Sequence, residues 1–229
     1  MDKAILSFEY PEFSERLREL GYYPTDSERV KRFISYEQDH ADMQCLVIED
    51  TAFVLKDCRR LSAELQKRYR VIVCGEHIQG KYPANIPLNV CVIGSYMIGK
   101  LDSVDKNVLR FCKEREYHLI NVSQGYAKCA CAVVSDNALI TEDNGIYCSL
   151  KETKIDVLKI REGRVGLVGA SCGLIGGASG YHNHKLFFTG NIERHPDYPT
   201  IKTFCDLHHT EMVSLSDGEL TDIGGIIFC

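Results

Sequence analysis

No stretch of this 229-residue chain approaches the 18 or so consecutive apolar residues of a membrane-spanning helix, so no membrane is expected among its partners. Positive charge is not in excess: 27 Lys and Arg face 32 Asp and Glu. A net charge of −5 argues against a partner held mainly through phosphates, and no nucleic acid is expected. The 11 cysteines are odd in number, spread evenly and without a CxxC pair, which excludes a disulfide framework. "GGASG" lacks both the GxGxxG spacing and a Walker lysine, so it is no nucleotide fingerprint, and no cofactor is implied. Low-complexity segments and long linkers are missing as well. The amino end, "MDKAILSFEYPEF", has too short an apolar stretch and too many acids for a signal or transit peptide, so a cytoplasmic protein is expected.

What is present suits one globular domain over residues 1–229. The hydrophobic share is 45% and the charged share 26%, and a chain of this length buries about 70% of its unfolded surface. Most cysteines sit in apolar runs such as "CLVIED", "VIVC", "NVCVIG" and "CACAVV", where a free thiol behaves as a small core residue.

One order of elements recurs along the chain. "QCLVIEDTAFVL", "DCRRLSAELQKR" and "YRVIVC" read as two strands, an amphipathic helix and a third strand. Residues 89–122 repeat the order, with Val104, Val108, Leu109 and Cys112 on one face of a helix. A third copy is "CACAVVSDNALITED", "YCSLKETK" and "IDVLKI", its first two strands meeting at the turn Ser135-Asp136-Asn137. The fourth is "KLFFTGNI", "HPDYPTIKTFCDLHH" and "EMVSLS", its helix opened by Pro196. The carboxyl end, "LTDIGGIIFC", supplies one strand, and the amino end "KAILS", "PEFSERLREL" and "GYYPT" supplies a strand, a helix and an extended segment, so the two ends together make a fifth unit. Pairing the last strand with the first closes a ring and removes exposed sheet edges. Residues 25–42 are polar and read as a helix plus connector.

Five units of strand, strand, helix and strand in one ring predict an α/β fold, a five-bladed pseudo-symmetric α/β propeller. The chain here resembles the pentein, or guanidine-modifying, superfamily. "VIEDTAFV" is similar to the "VEDTAVV" of dimethylarginine dimethylaminohydrolases, with Glu49, Asp50, Thr51 and Ala52 in the same order. "KLFFTGNIE" resembles their "VLFTGRE", "GYAKCACAVV" their "LHLKSACS" with matches at Lys128 and Cys131, and "GGIIFC" their terminal "GLLTC". An uncharacterised bacterial family of the same fold is also similar. The resemblance implies a thiolate nucleophile at Cys229, places Tyr126 where those enzymes have a general acid–base histidine, and places Gln44 at the substrate-binding acid, with Asp42 two residues away. A thiolate must be drawn from a group of pKa about 8.5, and a proton relay must titrate near neutrality; a tyrosine does not supply the second.

In a ring, the turns before each inner strand converge on the axis. They read "ADMQ", "YPANIPLN", "GYAKC", "GGASGYHNH" and "LTDIGG". The expected ligand-binding residues are Asn89, Tyr126, Lys128, Ser179, His182 and Asp222, around a small polar molecule. Cys129 beside the Lys128 ammonium is the alternative nucleophile, with a lowered pKa, in a thiol hydrolase or deiminase acting on a guanidine or amidine. A further alternative is a metal or redox role for Cys129 and Cys131 with His182 and His184, although that spacing matches no zinc motif and no metal ligand is assigned. His195 is expected in a turn or helix cap, and His208 and His209 at a helix end. Self-association into a homodimer is left open.

Overall fold

The computed structural model describes residues 2–229. The chain begins with β1 (Lys3–Leu6), α1 (Pro11–Glu19) and β2 (Tyr23–Asp26), then a connector ending in the single turn α2 (Ala41–Gln44). Four full units follow. They are β3 (Cys45–Ile48), β4 (Thr51–Leu55), α3 (Arg59–Leu65) and β5 (Arg70–Cys74); β6 (Cys91–Ile93), β7 (Tyr96–Gly99), α4 (Lys106–Glu114) and β8 (His118–Asn121); β9 (Cys131–Ser135), β10 (Ala138–Thr141), α5 (Asn144–Leu150) and β11 (Asp156–Lys159); and β12 (Ser179–His182), β13 (Lys185–Phe188), α6 (Tyr198–Leu207) and β14 (Glu211–Ser214). The chain returns in β15 (Ile227–Phe228).

The strands form five separate three-stranded sheets of one design. In each, the middle strand pairs antiparallel with the strand before it and parallel with the strand after it. A short hairpin makes the first connection; the parallel one needs a crossover, and the helix of each unit supplies it. In the fifth sheet β15 pairs antiparallel with β1, Ile227 opposite Ile5 and Phe228 opposite Ala4, so the two ends of the chain close the ring. The fold is the five-bladed α/β propeller that the repeats predict.

Local chemistry explains the starts of three helices and corrects two expectations. Asp105 and Asp143 cap α4 and α5, their side chains accepting from the Asn107 and Ile146 amides at 2.8 and 2.7 Å. Helix α6 has Pro199 in its first turn, whereas Pro196 lies in the chain that leads in. Residues 25–42 form no such helix: β2 runs to Asp26, and the connector has only a 3-10 turn at Ser35–Glu37 and the start of α2. Polar side chains hold that backbone in other shapes. The Gln44 amide accepts from the Glu28 amide at 2.8 Å and donates to the carbonyls of Glu28 and Gln38, and Ser27 Oγ donates to the Asp39 carbonyl.

The inner strands β3, β6, β9, β12 and β15 surround the axis, and the strand period of two decides what faces it. Val47, Val92, Val133, Tyr181 and Phe228 each pair with the second residue of the middle strand, respectively Ala52, Met97, Leu139, Leu186 and Ala4. All five equivalents are half-buried and line one cavity. In β9 their neighbours Ala132 and Val134 point the other way and are wholly buried in the hydrophobic layer shared with β10 and α6.

Candidate functional site at the ring axis

The axial cavity has a volume of about 190 Å³. Below the mouth formed by the five equivalents lie Cys45, Leu88, Val90 and Ile226, and the lining also includes the polar side chains of Asp42, Lys128 and Ser179. Each polar group comes from a segment just ahead of an inner strand or from its first residue: Asp42 from α2, Lys128 from the turn before β9, Ser179 from the start of β12.

Asp42 is held deep in the molecule. Its amide donates to the Gly224 carbonyl at 3.0 Å, and its carboxylate Oδ2 accepts from the Cys129 thiol at 2.8 Å. Oδ1 is buried and has no hydrogen-bond partner in the protein. Burial pushes the Asp42 carboxyl up to about 6, against the downward pull of His40 and Lys128. Lys128 Nζ donates to the Gly176 carbonyl at 3.2 Å and makes no ion pair within 4.0 Å among the described residues. The floor therefore carries an acid and an ammonium that do not neutralise each other directly.

Beneath the floor, Asn89 fixes the turn that carries Lys128. Its Oδ1 accepts from the Lys128 and Cys129 amides at 2.9 and 3.4 Å, and its Nδ2 donates to Cys129 Sγ at 3.2 Å. Asp222 braces the opposite side, accepting from the Leu174 amide at 2.9 Å and the Gly224 amide at 3.0 Å. Gly177 passes so close that a Cβ there would lie 2.0 Å from Asp222 Oδ1, which accounts for one glycine of "GGASG". His40 packs against Gly224 and stands 3.9 Å from Asp222 through Nδ1. Glu142 accepts from the Ile175 amide at 2.9 Å, and burial pushes its carboxyl up to about 7.

Of the residues expected at the site, Lys128 and Ser179 line the cavity; Asn89 and Asp222 lie beneath it as supports. Tyr126 stands elsewhere, donating to Glu37 at 2.7 Å and accepting from Asn85 at 3.1 Å. His182 pairs with Asp2 at 3.0 Å and stacks on Phe228, because its place at the end of β12 sends it outward. Gln44 is fully buried with its amide committed to the connector backbone, so it does not serve as a binding acid. Asp42, two residues earlier, holds the axial position.

The thiols are corrected by the same geometry. Cys129 does not gain a lowered pKa from its neighbour Lys128: burial, then the Asp42 and Asp222 carboxylates, push its thiol well up. Cys229 lies at the end of β15, exchanging backbone hydrogen bonds with Lys3 at 2.8 and 2.9 Å, and burial pushes its thiol up to about 11. It does not line the axial cavity. Cys131 meets Cys91 rather than Cys129 or a histidine, since β9 begins only at Cys131 and Cys129 belongs to the turn before it. No group of three or more His, Cys, Asp or Glu side chains among the described residues is arranged to hold a metal ion.

Asp42, His40 and Glu142 are not legible in the sequence as site residues. Asp42 enters there only as a neighbour of Gln44. The one local signal is position: all three lie within five residues of a strand end, where this fold turns toward the axis.

Residues 5–227 match the model of the family described as "Family of unknown function (DUF6873)", and the chain belongs to that family. No curated protein matches the sequence. Among solved structures, the chain is similar to dimethylarginine dimethylaminohydrolase of Pseudomonas aeruginosa, solved as a mutant with citrulline, with 11% identity, 93% of this chain and 91% of that one covered, and a TM-score of 0.57. A dimethylarginine dimethylaminohydrolase adduct with S-methyl-L-thiocitrulline superposes at 0.61, with 10% identity and 99% of both chains covered. Agmatine deiminase of C. jejuni superposes at 0.55, with 9% identity, 96% of this chain and 91% of that one. The fold is thus that of the pentein, guanidine-modifying enzymes.

Proposed function

We propose that this protein binds a small polar molecule in its axial cavity and holds it without covalent chemistry, as a relative of the guanidine-modifying enzymes that has lost their reaction. The observation that carries the reading is the cavity floor: Asp42 and Lys128 both line the space of about 190 Å³, Asp42 Oδ1 is buried with no partner in the protein, and Lys128 makes no ion pair among the described residues. Buried polar groups left without partners are costly unless something meets them, and a bound polar molecule does so. Against a hydrolase, the expected nucleophile Cys229 is buried away from the cavity with a thiol raised to about 11, and no imidazole lines the cavity. Ligand-observed NMR of amines, amino acids, guanidines and carboxylates tests the reading. Binding in the wild type that disappears in Val92→Phe, whose ring plugs the mouth, supports it; binding unaffected by the plug, or no binding at all, removes it.

One contact favours a second reading. Cys129 donates its thiol proton to Asp42 at 2.8 Å, an acid placed to accept it, as a thiol hydrolase or deiminase acting on an amidine or guanidine would require. Alkylation by 2-chloroacetamidine at pH 6 and pH 8, mapped by mass spectrometry, separates the two. Noncovalent binding predicts that the exposed Cys148 and Cys172 react first. Fast labelling of Cys129 or Cys229 at pH 6, lost in the matching serine variant, would make the thiol enzyme the better reading.

A further inference from the structure

The cavity is polar at one end and apolar along its length, and that asymmetry specifies a ligand more narrowly than "small and polar". Resting on the noncovalent reading above, we infer that the ligand is a short aliphatic amino acid bound head first, its ammonium on Asp42, its carboxylate on Lys128 and Ser179, and its hydrocarbon chain toward the mouth.

Three features carry this. Asp42 lines the cavity with one carboxylate oxygen buried and unpartnered in the protein, and Lys128 Nζ has a single protein partner, a carbonyl, with no ion pair among the described residues. An ion brought here with one charge only would match one of them and leave the other without a counter-charge, whereas a zwitterionic head matches both. Ser179 Oγ, whose contact to the Gly176 carbonyl is long at 3.5 Å, is a further donor for a carboxylate. Above this floor the walls are mostly hydrocarbon: Val90, Val92, Val47, Val133 and Ile226 present no hydrogen-bonding side chain to a guanidinium or amide tail, the Cys45 thiol and the Tyr181 phenol being the exceptions. Size gives the third constraint. A dry cavity of about 150 Å³ admits benzene, so the space here takes roughly six to nine non-hydrogen atoms, the size range of valine and leucine.

The test is isothermal titration calorimetry with L-leucine, 4-methylpentanoate, which lacks the ammonium, and 3-methylbutylamine, which lacks the carboxylate, with L-arginine as a long cationic control. The wild type should bind leucine at least tenfold more tightly than either truncated compound or arginine. Lys128→Met should weaken leucine tenfold or more while leaving 3-methylbutylamine within about twofold. Asp42→Asn should weaken leucine similarly and leave 4-methylpentanoate within about twofold. Such a crossed pattern cannot come from misfolding, which would abolish both members of each pair. Equal loss of both compounds in either variant, or arginine binding as tightly as leucine, overturns the assignment. Should leucine fail while another polar compound binds the wild type and not Val92→Phe, the amino-acid assignment falls and the cavity reading stands; if no compound binds, both fall.

Discussion

The mouth and the floor of the axial cavity are built by the same five repeats and obey different rules. At the mouth the five blades are equivalent: Val47, Val92, Val133, Tyr181 and Phe228 occupy one register position, and all are apolar or aromatic. At the floor the blades diverge, one giving a carboxylate, one an ammonium, one a hydroxyl and one Leu88, while the fifth runs past Lys128 as the Gly224–Gly225 pair without lining the cavity. Sheet pairing demands that strands look alike, because register and burial repeat with the fold. Nothing in the pairing constrains the turns that lead into the strands, so chemistry collects there. Symmetry makes the cavity, and the break in symmetry gives its floor chemically different groups.

The sharpest way to break the floor is to add one atom to it. Gly224 has a φ of +75°, and a Cβ there would lie 2.3 Å from His40 Cβ. Gly224→Ala combines overpacking, at about 1–3 kcal/mol, with a left-handed residue, at about 1 kcal/mol more. A loss of about 2–4 kcal/mol in urea unfolding is expected from their sum. A loss below about 1 kcal/mol, no more than the backbone cost alone, would mean that His40 moves aside freely and that the floor is not a fixed platform.

Asp42→Asn separates stability from binding. The folded protein holds the Asp42 proton up to about pH 6, whereas the ordinary aspartate value of 3.8 applies once the chain unfolds. Between these values the folded state binds more protons than the unfolded one, so this contribution to stability is fully present below about pH 4 and is lost as pH rises through about 6. A shift of about two pH units amounts to about 3 kcal/mol. The groups facing Asp42 divide in sign: His40, Lys128 and the Cys129 thiol favour its charge, Asp222 opposes it, and burial outweighs them. In the Asp42→Asn variant that part of the slope disappears, leaving those from Glu142 and from His195, whose burial lowers its value, and at about pH 7.5 the variant should be the more stable protein. Urea unfolding from about pH 4 to about pH 8 measures both curves. A wild type more stable than the variant at the upper end of that range would mean that the fold stabilises the charged carboxylate.

Tyr126→Phe tests whether this tyrosine, expected from the sequence among the ligand-binding residues, belongs to the floor or to the frame. Its hydroxyl donates to the buried Glu37 and accepts from Asn85. Removing one of the donors to a buried carboxylate costs about 2 kcal/mol. Unfolding should register that loss, while the affinity of any axial ligand stays within about twofold. A large change in affinity with unchanged stability would place Tyr126 in the binding site.

The frame was legible in the sequence because each strand carries its own signal. "CLVI", "TAFVL" and "RVIVC" are apolar enough to be strands wherever they fall, and fivefold repetition made the order self-checking. The connector misled because its polar residues are helix-compatible in isolation; Gln44 and Ser27 hold it in another shape only through contacts with distant backbone. Site residues divide the same way. Lys128 and Ser179 sit directly at the entrance to a strand, where repeat position alone puts them near the axis. Glu142 and His40 lie in the polar stretches "TED" and "QDHAD", which carry no local mark of burial; segments from other blades bury them, Ile175 over one and Gly224 against the other. The error over Cys129 had a similar source, for sequence adjacency to Lys128 says nothing about the depth of the thiol or about Asp42 across the ring.

The smallest effect tests the mouth itself, using two neighbours in β9 with identical side chains. Val134 is wholly buried between β9, β10 and α6, while Val133 is half-buried on the axial face. Val134→Ala opens a cavity in a packed layer and should cost about 2 kcal/mol; Val133→Ala borders space that already exists, so little cavity is created and the cost should stay below about 1 kcal/mol. Binding should reverse the ranking, since Val133 touches whatever enters the cavity and Val134 does not. Equal stability losses would show that Val133 is packed as tightly as its neighbour, and then the half-buried ring of five would be a lid of the core rather than the mouth of a site.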